Sequence, residues 1–393
     1  MKHLELHIIQ SVPVACLNRD DLNSPKTAMF GGVQRARVSS QSWKRAIREM
    51  AKEMYPVAFK GDRSRRMVFA LKNRLVGKGV VENAAVAIAE QVADIVETLD
   101  SKTDSEGFKK IKTLMFFSEA EYDAIANAIS SSEEVKKSTK ALADSVKELE
   151  TAQSKKDKKG EEGALKAKEK ALKAMEKILE KGAIAKAIKS AQLKDAADIA
   201  LFGRMVANDH SLTVEAASMF SHALSTHKVE NEIDFFSAVD DLQAKEESGA
   251  GMTNTLEFNS ATYYRFAGLN LDMLADADHL GTMTQKERQA VVRTFVEATI
   301  KAIPGARKNS MNGNTFPNHV FGVVREKGHP VQLVNAFENP LRPDSGYADK
   351  SVNLLKDEYA KLKKTWGVEA VFEKAIPDVS LIEFLNEIAA HVI

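Results

Sequence analysis

Strand-type patterning stands at both ends of this chain, and a long stretch of helical periodicity separates the two. Residues 2–10, KHLELHIIQ, alternate and are rich in β-formers. LEFNSATYYRFAGLNL at 256–271 carries the Tyr, Phe and Thr of a strand. From about residue 60 to 195 apolar residues recur at the helical spacing, and no strand stands out. Strands at both ends with helices between them predict an α+β fold, one β-containing domain interrupted by a helical insertion.

Local signals fill in this frame. Residues 17–35 read as a loop, broken by Asn18, Asn23, Pro25, Gly31 and Gly32. Ser39 or Ser40 then caps a helix through SQSWKRAIREMAKEM. Trp43, Ile47 and Met50 share its apolar face, and Lys44, Arg45 and Arg48 flank that face. Residues 132–181 are low in complexity and rich in Ala, Lys and Glu. Val135, Leu142, Val146 and Leu149 mark one helix there, and Leu165, Leu172, Met175 and Leu179 a second. With SKKDKKGEEG as a polar turn, they predict an antiparallel helical hairpin whose charge is a solvated face. ESGAGMTNT at 247–255 reads as a flexible tip, and 284–303 as a helix ended by Pro304 and Gly305. NHVFGVV and HPVQLVNAF bracket Gly328 and predict a hairpin near 318–337, followed by helices at about 350–365 and 378–393.

The length of 393 residues suits two domains. No apolar h-region follows the first residues and no stretch approaches a membrane span, so neither secretion nor membrane insertion is expected. Cys16 is the only cysteine, which fits a reducing cytoplasm. The net charge of +1 hides an asymmetry. Residues 1–75 hold fifteen Lys and Arg against six Asp and Glu, so this segment carries +9 and the remainder −8. A local basic concentration matters more for anion binding than the sum over the chain.

Catalytic signatures are sparse. The sequence has no GxxxxGK[ST], GxGxxG after a strand, HExxH or CxxC. His210, His222 and His227 lack the companions of a metal site, and none is expected. Asp20 and Asp21 form an acidic pair in a basic loop. They could hold Mg2+ for phosphodiester cleavage, pair with Arg19, or cap the loop backbone. The remaining parts suit a grip on single-stranded nucleic acid. Arg19, Lys26, Arg35 and Arg37 of the loop, with Lys44, Arg45 and Arg48 of the helix, supply cations. The backbone at Ser39 to Gln41 can add helix N-terminal N–H groups toward a phosphate. Met205, Phe235 and Phe236 are candidates to wedge between bases, where stacking tolerates any sequence.

Several segments together resemble the CasC family, the backbone subunit of the subtype I-E CRISPR Cascade within the RAMP superfamily. They are CLNRDDLNSPKTAMFGG at 16–32, RARVSSQSWKRAIR at 35–48, DIALFGRM at 198–205 and HALSTHKVENEIDFFSAVDDLQ at 222–243. YYRFAGLNL at 263–271 and LVNAFENPL at 333–341 also fit. The resemblance implies a ferredoxin-like, RRM-related palm from 1–59 and 196–393, a helical fingers insertion at 60–195, and a β-hairpin thumb at about 226–259. It implies a non-catalytic protein without cofactor or metal, whose copies stack head to tail along crRNA beside other Cascade subunits. Target DNA pairs with the exposed guide bases. By the same resemblance Arg19, Lys26, Gln41, Lys44 and Arg48 grip the RNA backbone. Met205 stacks near a kink, and Phe236 and Ser237 meet the displaced base. Phe235 stands where the family often has Trp, and the RRM sheet-face aromatics are not part of the likeness. The rival reading is a metal-dependent RNA endonuclease of the type III effector-subunit kind, using Asp20 or Asp21. The thumb stretch is acidic: Glu230, Glu232, Asp234, Asp240, Asp241, Glu246 and Glu247 stand against Lys245. These carboxylates are expected to meet basic residues of the next copy while Phe235, Phe236 and Ser237 meet the nucleotide.

Overall fold

The computed structural model describes residues 1–131, 133–178, 183–191, 194–238, 252–342 and 346–393, without the side chains of 134–136, 150, 175–178, 183, 238, 252 and 253. The chain divides into two units. The first comprises Met1–Tyr55, Ser218–Ala275 and Thr284–Ile393, and the second Pro56–Ala217 and Asp276–Met283.

The first unit opens with β1 (His3–Ala15), β2 (Thr27–Phe30), β3 (Val33–Val38) and α1 (Ser40–Met54). The second contains β4 (Asp62–Ser64), α2 (Met67–Gly77), α3 (Glu82–Val96), β5 (Leu99–Thr103), β6 (Lys109–Ile111) and β7 (Met115–Phe117). It continues with α4 (Glu119–Ser131), α5 (Glu133–Ser154), α6 (Lys158–Ile178), α7 (Ala183–Ser190) and α8 (Ala197–Phe202). The chain returns to the first unit through β8 (Ser218–Phe220), β9 (Ala223–Ser225), β10 (Glu232–Ala238), β11 (Met252–Asn270) and α9 (Leu271–Ala275). It closes with α10 (Gln285–Lys301), β12 (His319–Arg325), α11 (Ala348–Trp366), β13 (Phe372–Ile376) and α12 (Leu381–Ala390).

An antiparallel sheet organises the first unit, in the order β13-β12-β1-β11-β9-β3-β2, with β8 and β10 also paired to β11. This is the α+β class the sequence predicts, with strands from both ends of the chain side by side. In β1, His7 stands opposite Phe266 on one side and Phe321 on the other. Side chains alternate across a strand, so His3, Glu5, His7 and Ile9 share one face and Leu4, Leu6 and Ile8 the other. All seven are buried, so both faces are covered. On the first face Ile9, Tyr264, Phe266 and Val323 pack with Leu355 and Tyr359 of α11. On the second, Trp43 of α1 meets Arg265, and Phe384 of α12 sits so close to Gly322 that an added Cβ would approach its ring to 2.5 Å.

Several elements differ from the sequence-based expectation. β1 runs on to Ala15, with a register break after Val12 where Pro13 offers no N–H to the ladder. The expected hairpin at 318–337 has only its first arm. Residues 329–333 instead cross the sheet face, because buried side chains take their backbone donors. The Val331 N–H donates to Glu5 Oε1 at 3.1 Å and the Leu333 N–H to the Tyr264 hydroxyl at 2.7 Å. Four short strands, β4 to β7, interrupt the helices of the second unit; three to five residues are too few for periodicity to register.

The core of the second unit gathers Leu71, Leu75, Ile88, Val92, Phe117 and Ile125. α5 and α6 form the expected hairpin with a tighter turn, since Asp157 Oδ1 accepts the N–H groups of Lys159 and Gly160 and starts α6 there. α5 buries Leu142 and Val146 as expected. In α6, Leu165 is exposed and Ala164 and Ala171 are buried instead, an alanine face that lets another surface come close. The expected apolar contributions of Val135, Met175 and Leu179 lie outside the described residues. No helix among the described residues is long and apolar enough to cross a membrane.

Candidate nucleic-acid interface

The basic loop is a folded turn. Asp20 Oδ1 accepts the N–H groups of Leu22 (2.9 Å) and Ser24 (3.0 Å), and Arg19 Nη1 donates to Asn23 Oδ1 at 3.0 Å. Of the alternatives for Asp20, the structure shows backbone capping. Asn18 ties the turn to the helix: its carbonyl accepts the Lys26 N–H and its side chain the Ser39 N–H, both at 2.9 Å. Arg19 is exposed and Lys26 half-buried.

α1 turns an anchoring face inward, with Trp43, Ile47 and Ala51 buried and Met50 half-buried. Gln41 and Arg45 are exposed and Lys44 and Arg48 half-buried, so the cationic side faces outward as its spacing implied. Arg45 pairs with Glu49 at 2.8 Å, an exposed pair that competes little with a phosphate. The Lys44 ammonium sits 5.5 Å from the centre of the Phe220 ring.

Two expectations fail here. The N–H groups of Ser40, Gln41, Ser42 and Trp43 already have acceptors: His222 Nδ1 at 3.1 Å, Ser39 Oγ at 3.3 Å, and the Ser39 carbonyl at 2.9 and 3.2 Å. Ser39 is thus the N-cap, and the helix terminus has no N–H left over for a phosphate. Arg35 is fully buried, not a surface cation. Its guanidinium donates to the carbonyls of Phe30, Ser225, Phe337 and Glu338. The same strap crowds Gly31, where φ is +59° and an added Cβ would lie 1.7 Å from the Glu338 carbonyl. Arg37 is half-buried, and its Nε donates to the Thr27 carbonyl.

The sequence assigns His222 no role beyond excluding it as a metal ligand. The structure makes it the acceptor for α1. Burial and the nearby Arg37 and Lys26 charges hold its pKa below the usual value, which keeps Nδ1 free to accept. His227 instead stacks on Tyr347 at 3.7 Å and accepts the Thr262 N–H. Among the described residues no group of three or more His, Cys, Asp or Glu could hold a metal ion.

The candidate thumb residues lie on β10, paired with β11: Phe235 opposite Thr255, Phe236 opposite Asn254 and Ser237 opposite Thr253. Pleat alternation separates them. Ile233, Phe235 and Ser237 share one face, and Glu232, Asp234 and Phe236 the other, so the expected trio cannot present a common surface. Ile233 and Phe235 are 68% and 65% exposed. Asp240, Asp241, Lys245, Glu246 and Glu247 lie outside the described residues.

Met205 belongs to the second unit and is 82% exposed between two fixed neighbours. Arg204 is buried, paired to Glu121 at 2.7 Å and bridged to Val214, and Val206 is buried as well. Gly203 before them has φ +77°, and an added Cβ would come within 3.1 Å of Ala216 and the Val214 carbonyl, a fit open to glycine. The backbone of Met205 is fixed by buried neighbours on either side, and its side chain stands out as exposed apolar surface.

Sequence reasoning passed over Arg265. A cation in the middle of the apolar strand YYRFAGLNL was the available signal.

A mixed α+β fold with a large antiparallel sheet and an outward cationic helix defines the class. The chain belongs to the CT1975-like protein family, whose model matches residues 4–384. No curated protein matches it. Among solved structures it is similar to a chain of a "CRISPR RNA-guided surveillance complex, pre-nicking", at 26% identity and a TM-score of 0.76 over 100% of both chains. A chain of another "CRISPR RNA-guided surveillance complex" shares the fold at 24% identity and a TM-score of 0.67, over 99% of each chain.

Proposed function

We propose that this chain is the guide-RNA-binding backbone subunit of a CRISPR surveillance complex, of the CasC kind in subtype I-E, and performs no catalysis. In this reading its copies stack head to tail on crRNA in the cytoplasm, beside other Cascade subunits, and leave guide bases free for target DNA. The observation that carries the reading is the outward cationic side of α1, Lys44, Arg45 and Arg48, held beside the Arg19–Lys26 turn through Asn18. The full-length likeness to a subunit of an RNA-guided complex supports it. A protein that must hold every spacer gains from gripping phosphates, which carry no sequence information. The covered sheet face agrees, since His7, Tyr264, Phe266 and Phe321 are packed where bases would stack.

Co-expression with guides of increasing length tests this. Copies per particle should rise with RNA length, as a heterologous interface that does not close propagates along its template. A particle of fixed size, or stacking without RNA, would overturn the proposal. The endonuclease alternative predicts regular Mg2+-dependent cleavage of complementary RNA by the assembled complex, abolished by Asp20→Ala or Asp21→Ala; the present reading predicts none.

A further inference from the structure

Among the described residues the buried arginines fall into two kinds. Arg204 and Arg325 each meet a buried carboxylate, Glu121 at 2.7 Å and Glu5 at 2.9 Å. Arg35 and Arg265 meet none. Arg35 donates only to backbone carbonyls. Arg265 donates to Gln10 Oε1 and the Thr299 carbonyl, and its guanidinium lies 3.6 Å from the centre of the Trp43 ring. Both are buried in strands of the first unit, β3 leading into α1 and β11 beneath it. Burying a charge is costly unless an opposite charge or a full set of hydrogen bonds compensates it. For Arg265 the cost is visible, as burial alone pushes its pKa down to about 9. Dipoles and a ring face satisfy the donors of these two side chains but do not cancel their charge.

We propose that Arg265 is a built-in positive charge beneath α1 whose counter-charge is the phosphate backbone of the bound RNA. This rests on the guide-RNA reading and assigns a role to a residue that touches no nucleotide. Trp43 carries the guanidinium on its inner face, and the half-buried Lys44 and Arg48 and the exposed Arg45 flank that face on the helix. A phosphate gripped across α1 then lies roughly 10 Å from the buried charge, about one helix diameter. At an effective dielectric of about 20, a unit charge at that range changes affinity roughly tenfold. Being fixed and dry, it is not screened by salt as a surface lysine is.

Gln10 provides the test, because Gln10→Glu gives Arg265 its missing carboxylate with almost no change of shape. The substitution gives up the donor from Gln10 Nε2 to the Thr315 carbonyl at 2.6 Å. Gln10→Met is therefore the uncharged control: it gives up the same donor and also removes the Oε1 acceptor of Arg265. Thermal unfolding establishes that both variants fold, and Arg265→Lys, which keeps the charge, serves as a second variant. Affinity for a single-stranded RNA of fixed length is measured against salt. The expected result is binding about tenfold weaker for Gln10→Glu than for Gln10→Met, with the same salt slope, and near-wild-type affinity for Arg265→Lys. Equal affinities for the Glu and Met variants would overturn the inference. So would a weakening confined to a flatter slope, which would mean displaced surface contacts. If Lys44→Ala and Arg48→Ala also leave binding unchanged, the RNA reading itself fails; if they weaken it while the two Gln10 variants agree, only the buried-charge role fails.

Discussion

The N–H of Ser40 donates to Nδ1 of His222 at 3.1 Å, joining the first turn of α1 to the bend between β8 and β9. Only a ring without a proton on Nδ1 can accept this bond. With the folded pKa depressed, the unfolded state takes up the proton first. The stabilisation is therefore full above about pH 6.5, the unfolded value, and is lost as pH falls through the folded one. His227, His319 and His391 are depressed too and act in the same direction. His222→Asn can accept the N–H without titrating, so its stability should decline less than wild type between about pH 7 and 5. Denaturant unfolding across this range checks it; parallel pH profiles would remove His222 from the account.

Lys44→Ala and Arg48→Ala should each weaken guide binding for all spacers alike. Each lost phosphate contact should flatten the log–log salt dependence by about 0.7, the single-strand value. Filter binding at several salt concentrations with unrelated spacers is sufficient. A loss that varied with spacer sequence would mean these side chains read bases.

Glu5 lies 2% exposed on the covered sheet face among His3, His7 and Arg325. Burial raises its pKa, but the hydrogen bonds from His3 and His7, the His7 charge and the Val331 N–H prevail and hold it at about 2. The stabilisation is present above about pH 4.3, the unfolded carboxyl value, and disappears as pH falls toward 2. Glu5→Gln leaves Arg325 without its anion and should cost about 3–5 kcal/mol at pH 7. The difference from wild type should shrink at pH 3, as urea unfolding at the two pH values will show.

Phe235 and Phe236 occupy opposite faces of the β10–β11 hairpin, so their substitutions should separate. Phe236→Ala is expected to leave subunit stacking intact and change guide reactivity to chemical probes at regular positions. Phe235→Ala combined with Ile233→Ser is expected to impair stacking while each copy still binds short RNA. Identical defects in both variants would contradict a two-faced hairpin.

What the sequence made legible was local. The spacing of Trp43 and Ile47 correctly set the inner face of α1, and with it the outward side of Lys44, Arg45 and Arg48. Arg35 looked like its neighbours because its environment comes from Phe337 and Glu338, some three hundred residues later. The acceptor role of His222 depends likewise on a contact between distant segments. Phe235 and Phe236 are adjacent in sequence, and only their strand pairing reveals that they face apart. The missing second arm of the 318–337 hairpin reflects Glu5 and Tyr264 capturing backbone donors, a tertiary effect that overrides local β-propensity.

The central claim is a sequence-independent grip on guide RNA. Its most direct test is the affinity of the full chain for single-stranded RNAs of equal length and unrelated sequence, titrated over a salt series. The account predicts affinities that agree within a few-fold across sequences and fall together, linearly in log–log form, as salt rises. Absence of binding at low salt, or affinities that differ by orders of magnitude between sequences, would contradict it.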